Sequence, residues 1–227
     1  MIQSTGLCFQ YAQGPLLAFP DVEVAQGAVL LLSGPSGCGK STWLALVAAL
    51  VKPSAGSLTV AGQPLATLQT VASDAWRAAA IGFLPQKLHL SAALTVQQNL
   101  ALAQWAAGHA EDASSVQRAL QALGVAGLAQ RRPAQLSGGQ AQRVALARAV
   151  LLQPRVILAD EPTASLDDEA AADAVNLLLD TARRQQATLV IATHDARVAA
   201  LISAFRHGNG GFAELRLSRP QVEAVAA

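Results

Sequence analysis

Apolar positions along the chain recur with two different periods, and the changes between them mark out the elements. Leu7–Tyr11, Val22–Val24 and the near-continuous apolar run Val29–Ser33 read as short strands. Ser41–Val51 carries its apolar residues at helical spacing and stops before Pro53. Gly56–Leu65 alternates about Gly62, the pattern of a hairpin, and Ile81–Leu84 is a short strand running into Pro85-Gln86. Residues 87–152 change character. Thr95-Val96-Gln97-Gln98 has the form of a capping box and predicts a helix toward Ala107. Asp112–Leu123 is a second amphipathic helix, closed by Gly124. A third runs from about Gly139 to Leu152, before Pro154. Strand, helix and strand then alternate as Arg155–Asp160, Asp167–Gln186 and Thr188–Thr193, and Phe212–Leu217 is a last strand.

Such alternation predicts crossover connections and a mostly parallel sheet. The expected fold is an α/β domain spanning residues 1–227. Its core is formed by residues 1–86, with an N-terminal antiparallel β part, and 153–205. A helical lobe at 87–152 is inserted into that core, and a short C-terminal tail covers 206–227. No internal repeat or long linker interrupts the chain, and its 227 residues fit one domain.

Composition narrows the partners. A net charge of +1 gives no basic groove for nucleic acid and no polybasic membrane patch. The longest uninterrupted apolar run, Trp43–Val51, is far short of the ~18–20 residues a membrane span needs. The opening residues lack the basic flank and apolar core of a secretion signal. Only Cys8 and Cys38 are present, so no disulfide framework is implied and a cytoplasmic protein is expected. The low charged fraction of 14% and the mean hydropathy of +0.33 hint at a surface covered by a partner.

Three groups of residues carry chemistry. Gly34-Pro35-Ser36-Gly37-Cys38-Gly39-Lys40-Ser41-Thr42 follows an apolar strand and opens a helix, the setting of a phosphate-binding loop. Its glycines let backbone N–H groups turn toward phosphate oxygens, and the helix N-terminus adds favourable potential for an anion. Lys40 can reach the β- and γ-phosphates of a nucleotide, Ser41 can ligate Mg²⁺, and Thr42 can touch the α-phosphate. Asp160 and Glu161 end a strand whose other residues are apolar, where open α/β sheets bind ligands. Asp160 suits a magnesium partner, directly or through water, and Glu161 a base for an attacking water. In Leu136-Ser137-Gly138-Gly139-Gln140-Ala141-Gln142-Arg143, Ser137 suits a helix N-cap and the glycines expose backbone N–H groups at its positive end.

In this order, the three groups resemble the ATP-binding subunit of an ATP-binding-cassette (ABC) transporter, over nearly the whole chain. The resemblance implies a P-loop NTPase core that hydrolyses ATP with Mg²⁺. It implies that Ser137, Gly138, Gly139 and Gln140 close over the γ-phosphate held by a second ATPase chain, in a homodimer. Gln86 then senses Mg²⁺ and water, His194 contacts the γ-phosphate, and Tyr11 stacks on adenine, with Phe9 as an alternative ring. Ser165-Leu166-Asp167 resembles the loop that crosses the dimer interface. The partner is a transmembrane subunit on a separate polypeptide, with this chain peripheral on the cytoplasmic face of the inner membrane. The compact length and the Leu158–Asp167 stretch look most like the lipoprotein-releasing and macrolide-exporting branch; amino-acid-type importer ATPases are equally short. A complex that ATP merely gates, without transport, would carry the same motifs. Three further expectations concern particular side chains. The Cys38 thiol should be open to reagents and shielded by nucleotide. Trp43, Trp76 and Trp105 should be core residues. Leu88, Leu90 and Leu94 should either line a groove for the membrane subunit or pack the lobe onto the core.

Overall fold

Three strands decide the architecture. β4 (Val29–Ser33), β8 (Val156–Asp160) and β9 (Thr188–Thr193) are buried along nearly their whole length. A strand apolar on both faces belongs inside a sheet that is covered on both sides. The structure, a computed structural model that describes residues 1–164, 166–205 and 211–218, places them there. With β7 (Ile81–Leu84) and β10 (Phe212–Arg216) they form a five-stranded sheet in the order β10-β4-β9-β8-β7, every neighbouring pair parallel.

Alternate residues of these strands serve two apolar clusters. Leu30, Leu32, Val156, Leu158, Val190 and Ala192 face the first, with α1 (Lys40–Val47) and an antiparallel sheet. In that sheet β1 (Ile2–Gln10) pairs with β2 (Leu16–Ala18), β3 (Val22–Val24) and β5 (Ala55–Val60). β5 turns back into β6 (Gln63–Pro64), the expected hairpin. Leu31, Ile157, Ala159, Leu189 and Ile191 face the second cluster, under α3 (Val96–Ala106), α4 (Ala113–Ala122), α5 (Gly138–Val150) and α6 (Asp168–Gln185). The helical stretch therefore shares its core with the parallel sheet. α5 lies so close to β7 that a Cβ at Gly82 would meet the Ala149 carbonyl oxygen at 2.4 Å.

The structure adds β2, α2 (Thr70–Ala80) and α7 (Ala196–Phe205) to the elements expected. It also shortens α1, which ends at Val47 rather than Val51. Ala49 turns left-handed at φ 51°. The Arg77 guanidinium of α2 closes that end, Nε donating to the Ala48 carbonyl (2.7 Å) and Nη2 to that of Ala49 (2.8 Å). The expected tail strand becomes β10, an edge strand of the parallel sheet. Trp43 is fully buried and Trp76 packs on the first cluster, but Trp105 is 76% exposed, which corrects its assignment to the core. Leu88 and Leu90 pack on the second cluster, so the packing alternative holds for them. Among the described residues no helix is long and apolar enough to cross a membrane. The expectation at Ser165, and those at residues 206–210 and 219–227, lie outside the described residues.

Candidate active site

The parallel register sets four loops side by side. Ser33 pairs with Thr193, Ala192 with Asp160, and Ala159 with Leu84, so β4, β9, β8 and β7 end along one edge of the sheet. The loops beyond them carry the phosphate-loop motif, His194, Glu161 and Gln86. The phosphate loop leaves β4 through Gly34, at φ 148°. A Cβ there would meet the Leu217 carbonyl oxygen at 2.5 Å and Cys38 Sγ at 2.7 Å. The loop enters α1 through Gly39 at φ 100°. Lys40 Nζ donates to the carbonyls of Gly34 (2.9 Å) and Pro35 (3.2 Å) and lies 3.4 Å from Glu161 Oε1. Ser41 Oγ donates to Asp160 Oδ2 at 2.9 Å. The other oxygen, Asp160 Oδ1, is buried without a partner. Burial raises the Asp160 carboxyl above its ordinary range and the Glu161 charge adds to this, while the Ser41 bond and Lys40 oppose it.

Glu161 sits at φ 47°, a left-handed backbone that costs energy in a residue with a Cβ. Its N–H is anchored on the Ala192 carbonyl at 2.8 Å. Its carboxylate accepts from Thr193 Oγ1 at 2.9 Å and lies 2.8 Å from His194 Nδ1. Burial alone would raise this carboxyl. The bonds from His194 and Thr193, with the charges of His194 and Lys40, outweigh it and leave Glu161 below its ordinary range.

A cavity of about 400 Å³ opens over these groups. Ser36, Gly37, Gly39, Lys40, Ser41 and Thr42 form its floor, Gln86, Glu161 and His194 one wall, and Tyr11 another. Tyr11 is half-exposed and bonded through its hydroxyl to Thr42 Oγ1 (3.2 Å). Phe9 is buried, in edge-to-face contact with Tyr11 at 4.7 Å, so Tyr11 is the ring that faces the cavity. Cys38 turns its thiol into the first cluster, which corrects the expectation of reagent access.

Ser137, Gly138, Gly139 and Gln140 are not among the residues lining this cavity. Ser137 caps α5 in a reciprocal box with Gln140: the Gln140 N–H donates to Ser137 Oγ (3.3 Å) and the Ser137 N–H to Gln140 Oε1 (3.1 Å). Ser137, Gly138 and Gly139 are exposed, so the positive end of α5 is open to an anion that this chain's own loop does not hold.

Three side chains that tie the loops of the site together escaped the sequence reading. Gln142 of α5 donates to the Pro162 carbonyl, tying the helix to the loop after Glu161. Arg148 donates to the carbonyls of Leu88 (2.7 Å) and His89 (2.8 Å), fixing the segment after Gln86. Arg197 joins the loops after β8 and β9 through Asp195 and Asp168. Arginine is common at solvated helix surfaces, and only the tertiary contacts set these two apart.

A family model described as ABC transporter matches residues 19–164. The lipoprotein-releasing system ATP-binding protein LolD of Anaeromyxobacter dehalogenans is 40% identical over 205 residues, covering 87% of this chain and 86% of that one. The macrolide export ATP-binding/permease protein MacB 1 of Aeromonas hydrophila is 38% identical over 205 residues, which are 88% of this chain and 32% of that protein. Among solved structures, the dimeric MJ0796 bacterial ABC transporter cassette superposes with a TM-score of 0.82 at 29% identity, covering 98% of this chain and 97% of that one. Its post-hydrolysis form bound to ADP and Pi gives 0.80 at 28% identity, covering 97% and 98%.

The Asp195–Arg197 pair makes acid stability testable. Hydrogen bonds from the Arg197 side chain lower the Asp195 carboxyl from 3.8 to about 2. A depressed carboxyl stabilises the fold fully above its unfolded value, and that contribution disappears as pH falls through the folded one. Between about pH 4 and about pH 2 the wild-type melting temperature should therefore fall more steeply than that of Asp195→Asn. Parallel slopes in the two proteins contradict this.

Proposed function

The chain belongs to the ABC transporter family, and from that premise we propose that it is the ATPase subunit of a lipoprotein-releasing or exporting transporter. It would power a separate transmembrane subunit, from the cytoplasmic face of the inner membrane, as two copies close on two MgATP. The observation that carries this reading is the division of the site. Lys40, Ser41, Glu161, His194 and Gln86 line one cavity, with Asp160 bonded to Ser41 behind its floor, while Ser137, Gly138 and Gly139 at the start of α5 are exposed and do not line it. A head-to-tail dimer brings each exposed start onto the other chain's phosphate loop. The similarity to LolD and MacB supports the branch.

Magnesium fits the residues present. An orphaned, buried Asp160 Oδ1 beside Ser41 Oγ is a carboxylate–hydroxyl pair suited to a hard cation, which typically takes one or two carboxylates plus phosphate oxygens. Ser41, Asp160 and Gln86 would hold it, and it would supply charge to the phosphates. The chain's own residues do the rest. Backbone N–H groups of residues 36–42 cradle the phosphates, and Lys40 exchanges its contacts with the loop carbonyls for the β- and γ-oxygens. Tyr11 offers its ring to adenine. Glu161, held ionised and aimed by Thr193 and His194, accepts the proton of the attacking water as it adds to the γ-phosphorus. His194 then holds the γ-phosphate side of the site while ADP leaves. Ser137 and the N–H groups of Gly138 and Gly139 add donors from the other chain, where charge develops.

The contact proposed for the membrane subunit keeps Leu94 of the expected segment and adds the exposed face of α3. Leu88 and Leu90 are engaged in the core, whereas Leu102 and Trp105 of α3 are exposed and line a groove with Leu94 and Ala101. A ring exposed to this degree beside aliphatic side chains suits an amphipathic segment of the transmembrane partner.

Two outcomes follow. Glu161→Gln should bind ATP normally, lose nearly all turnover and accumulate as an ATP-bound dimer on gel filtration; near-normal turnover would falsify the role of Glu161. Trp105→Asp should keep the melting temperature and ATP affinity of the wild type but no longer co-purify with its membrane subunit. Undiminished co-purification, or early melting, rules the α3 face out.

A further inference from the structure

Arg197 has no part in the nucleotide chemistry above, yet it makes the densest set of side-chain bonds near the site. It stands in the first turn of α7. Nε donates to Asp195 Oδ1 (3.0 Å) and Oδ2 (3.1 Å), and Nη2 to Asp195 Oδ2 (2.8 Å). Nη1 donates to Asp168 Oδ1 (2.5 Å), and both Nη1 and Nη2 reach the Leu166 carbonyl at 3.4 Å. One guanidinium therefore holds two loops together: the segment 166–168 that enters α6, and the loop 193–195 that leaves β9.

The bonds continue inward from there. Asp195 Oδ2 also accepts from Thr163 Oγ1 (2.9 Å), a residue 1% exposed in the same loop as Glu161. The Asp195 N–H donates to Thr193 Oγ1 at 3.0 Å, and that hydroxyl donates to Glu161 Oε2 at 2.9 Å. The hydroxyl thus accepts from Asp195 while its single hydrogen goes to the Glu161 carboxylate, which when ionised can only accept. The His194 N–H points at the same oxygen at 3.4 Å. Asp168 is 91% exposed, so that arm contributes little by itself. The half-buried arms to Asp195 and Leu166 carry the link, and they need a planar fork with several donors.

We propose that Arg197 is a positioning residue for hydrolysis, locking segment 166–168 to the 193–195 loop so that Thr193 and His194 hold Glu161 in line for the attacking water. The inference rests on the reading of Glu161 as the base.

Steady-state ATPase assays on the full chain test it, with Arg197→Ala, Arg197→Lys, Thr193→Val and the Arg197→Ala/Thr193→Val double variant. Each is also measured for affinity toward a fluorescent ATP analogue and for melting temperature, with assays run well below the lowest melting point. Arg197→Ala should lower kcat roughly 10- to 100-fold, as misplacement of a reacting group does, with KM and nucleotide Kd within about twofold of wild type. Arg197→Lys, which keeps the charge and loses the fork, should recover little of that loss. The double variant should be scarcely slower than the worse single one, because both residues act through the same link. Four results overturn the proposal: an unchanged kcat, a kcat loss matched by weaker nucleotide binding, full rescue by Lys, or losses that multiply in the double variant. The Glu161→Gln control separates the two levels. If it keeps its turnover, the reading of Glu161 fails and this proposal with it. If it is inactive while Arg197→Ala turns over normally, only the role of Arg197 fails.

Discussion

The parallel register of β4, β9, β8 and β7 is the constraint on which the site depends. A parallel ladder aligns the carboxyl ends of its strands, so whatever follows each strand gathers at one edge. Ser33 opposite Thr193 and Ala192 opposite Asp160 bring Ser41 and Asp160, 119 positions apart in the chain, within hydrogen-bond reach. The Ser41–Asp160 bond, the Glu161–Ala192 anchor and the Glu161–His194 contact all follow from that alignment. A slip of one residue would turn Leu30, Leu32, Val190 and Ala192 to the opposite face and exchange the two apolar clusters. The cores on both faces therefore protect the alignment of the site.

The electrostatics divide the two adjacent carboxylates. Asp160 is raised by burial and leaves one oxygen without a partner, and so favours a cation beside it. Glu161 is lowered because Thr193, His194 and Lys40 surround its charge. Neighbouring groups pushed in opposite directions are suited to different tasks, which in the proposed mechanism are holding a cation at Asp160 and accepting a proton at Glu161. The left-handed backbone at Glu161 adds a cost that the Ala192 and Thr193 bonds offset, and so fixes the carboxylate at the cavity wall.

Much of this was legible in the sequence, for physical reasons that differ by element. β4, β8 and β9 announced themselves because burial on both faces demands an unbroken apolar run. The phosphate loop was legible because its chemistry is local, with the glycines, Lys40 and Ser41 all within eight residues. The Thr95 and Ser137 caps were readable for the same reason: Thr95 forms the expected box, and Ser137 caps α5 as expected and adds a box with Gln140. α2 was missed because only Ser73 and Ala80 are buried along it and its N-cap, Gln69, makes no capping bond. α1 was drawn too long because its apolar run continues past Val47, and the Arg77 closure that ends it comes from a distant helix. Trp105 was misplaced because an apolar residue at helical spacing reads as core whether or not anything covers it. The Arg197 link was invisible because its partners, the loop residues Leu166 and Asp195 and the first residue of α6, Asp168, are brought together only when the fold assembles them.

The central claim is that one chain supplies only part of each active site, the cavity with Lys40 and Glu161, and a second chain supplies Ser137–Gln140. Complementation between two inactive variants tests this directly. Lys40→Ala lacks the phosphate contact and Ser137→Arg blocks the helix start. In a mixed dimer one site carries both lesions and the other carries neither. Random mixing of equal amounts makes about half the dimers mixed, so the mixture should recover up to about a quarter of wild-type ATPase activity, while each variant alone stays inactive. A mixture that remains inactive, with mixed dimers verified by mass spectrometry, would contradict the shared site.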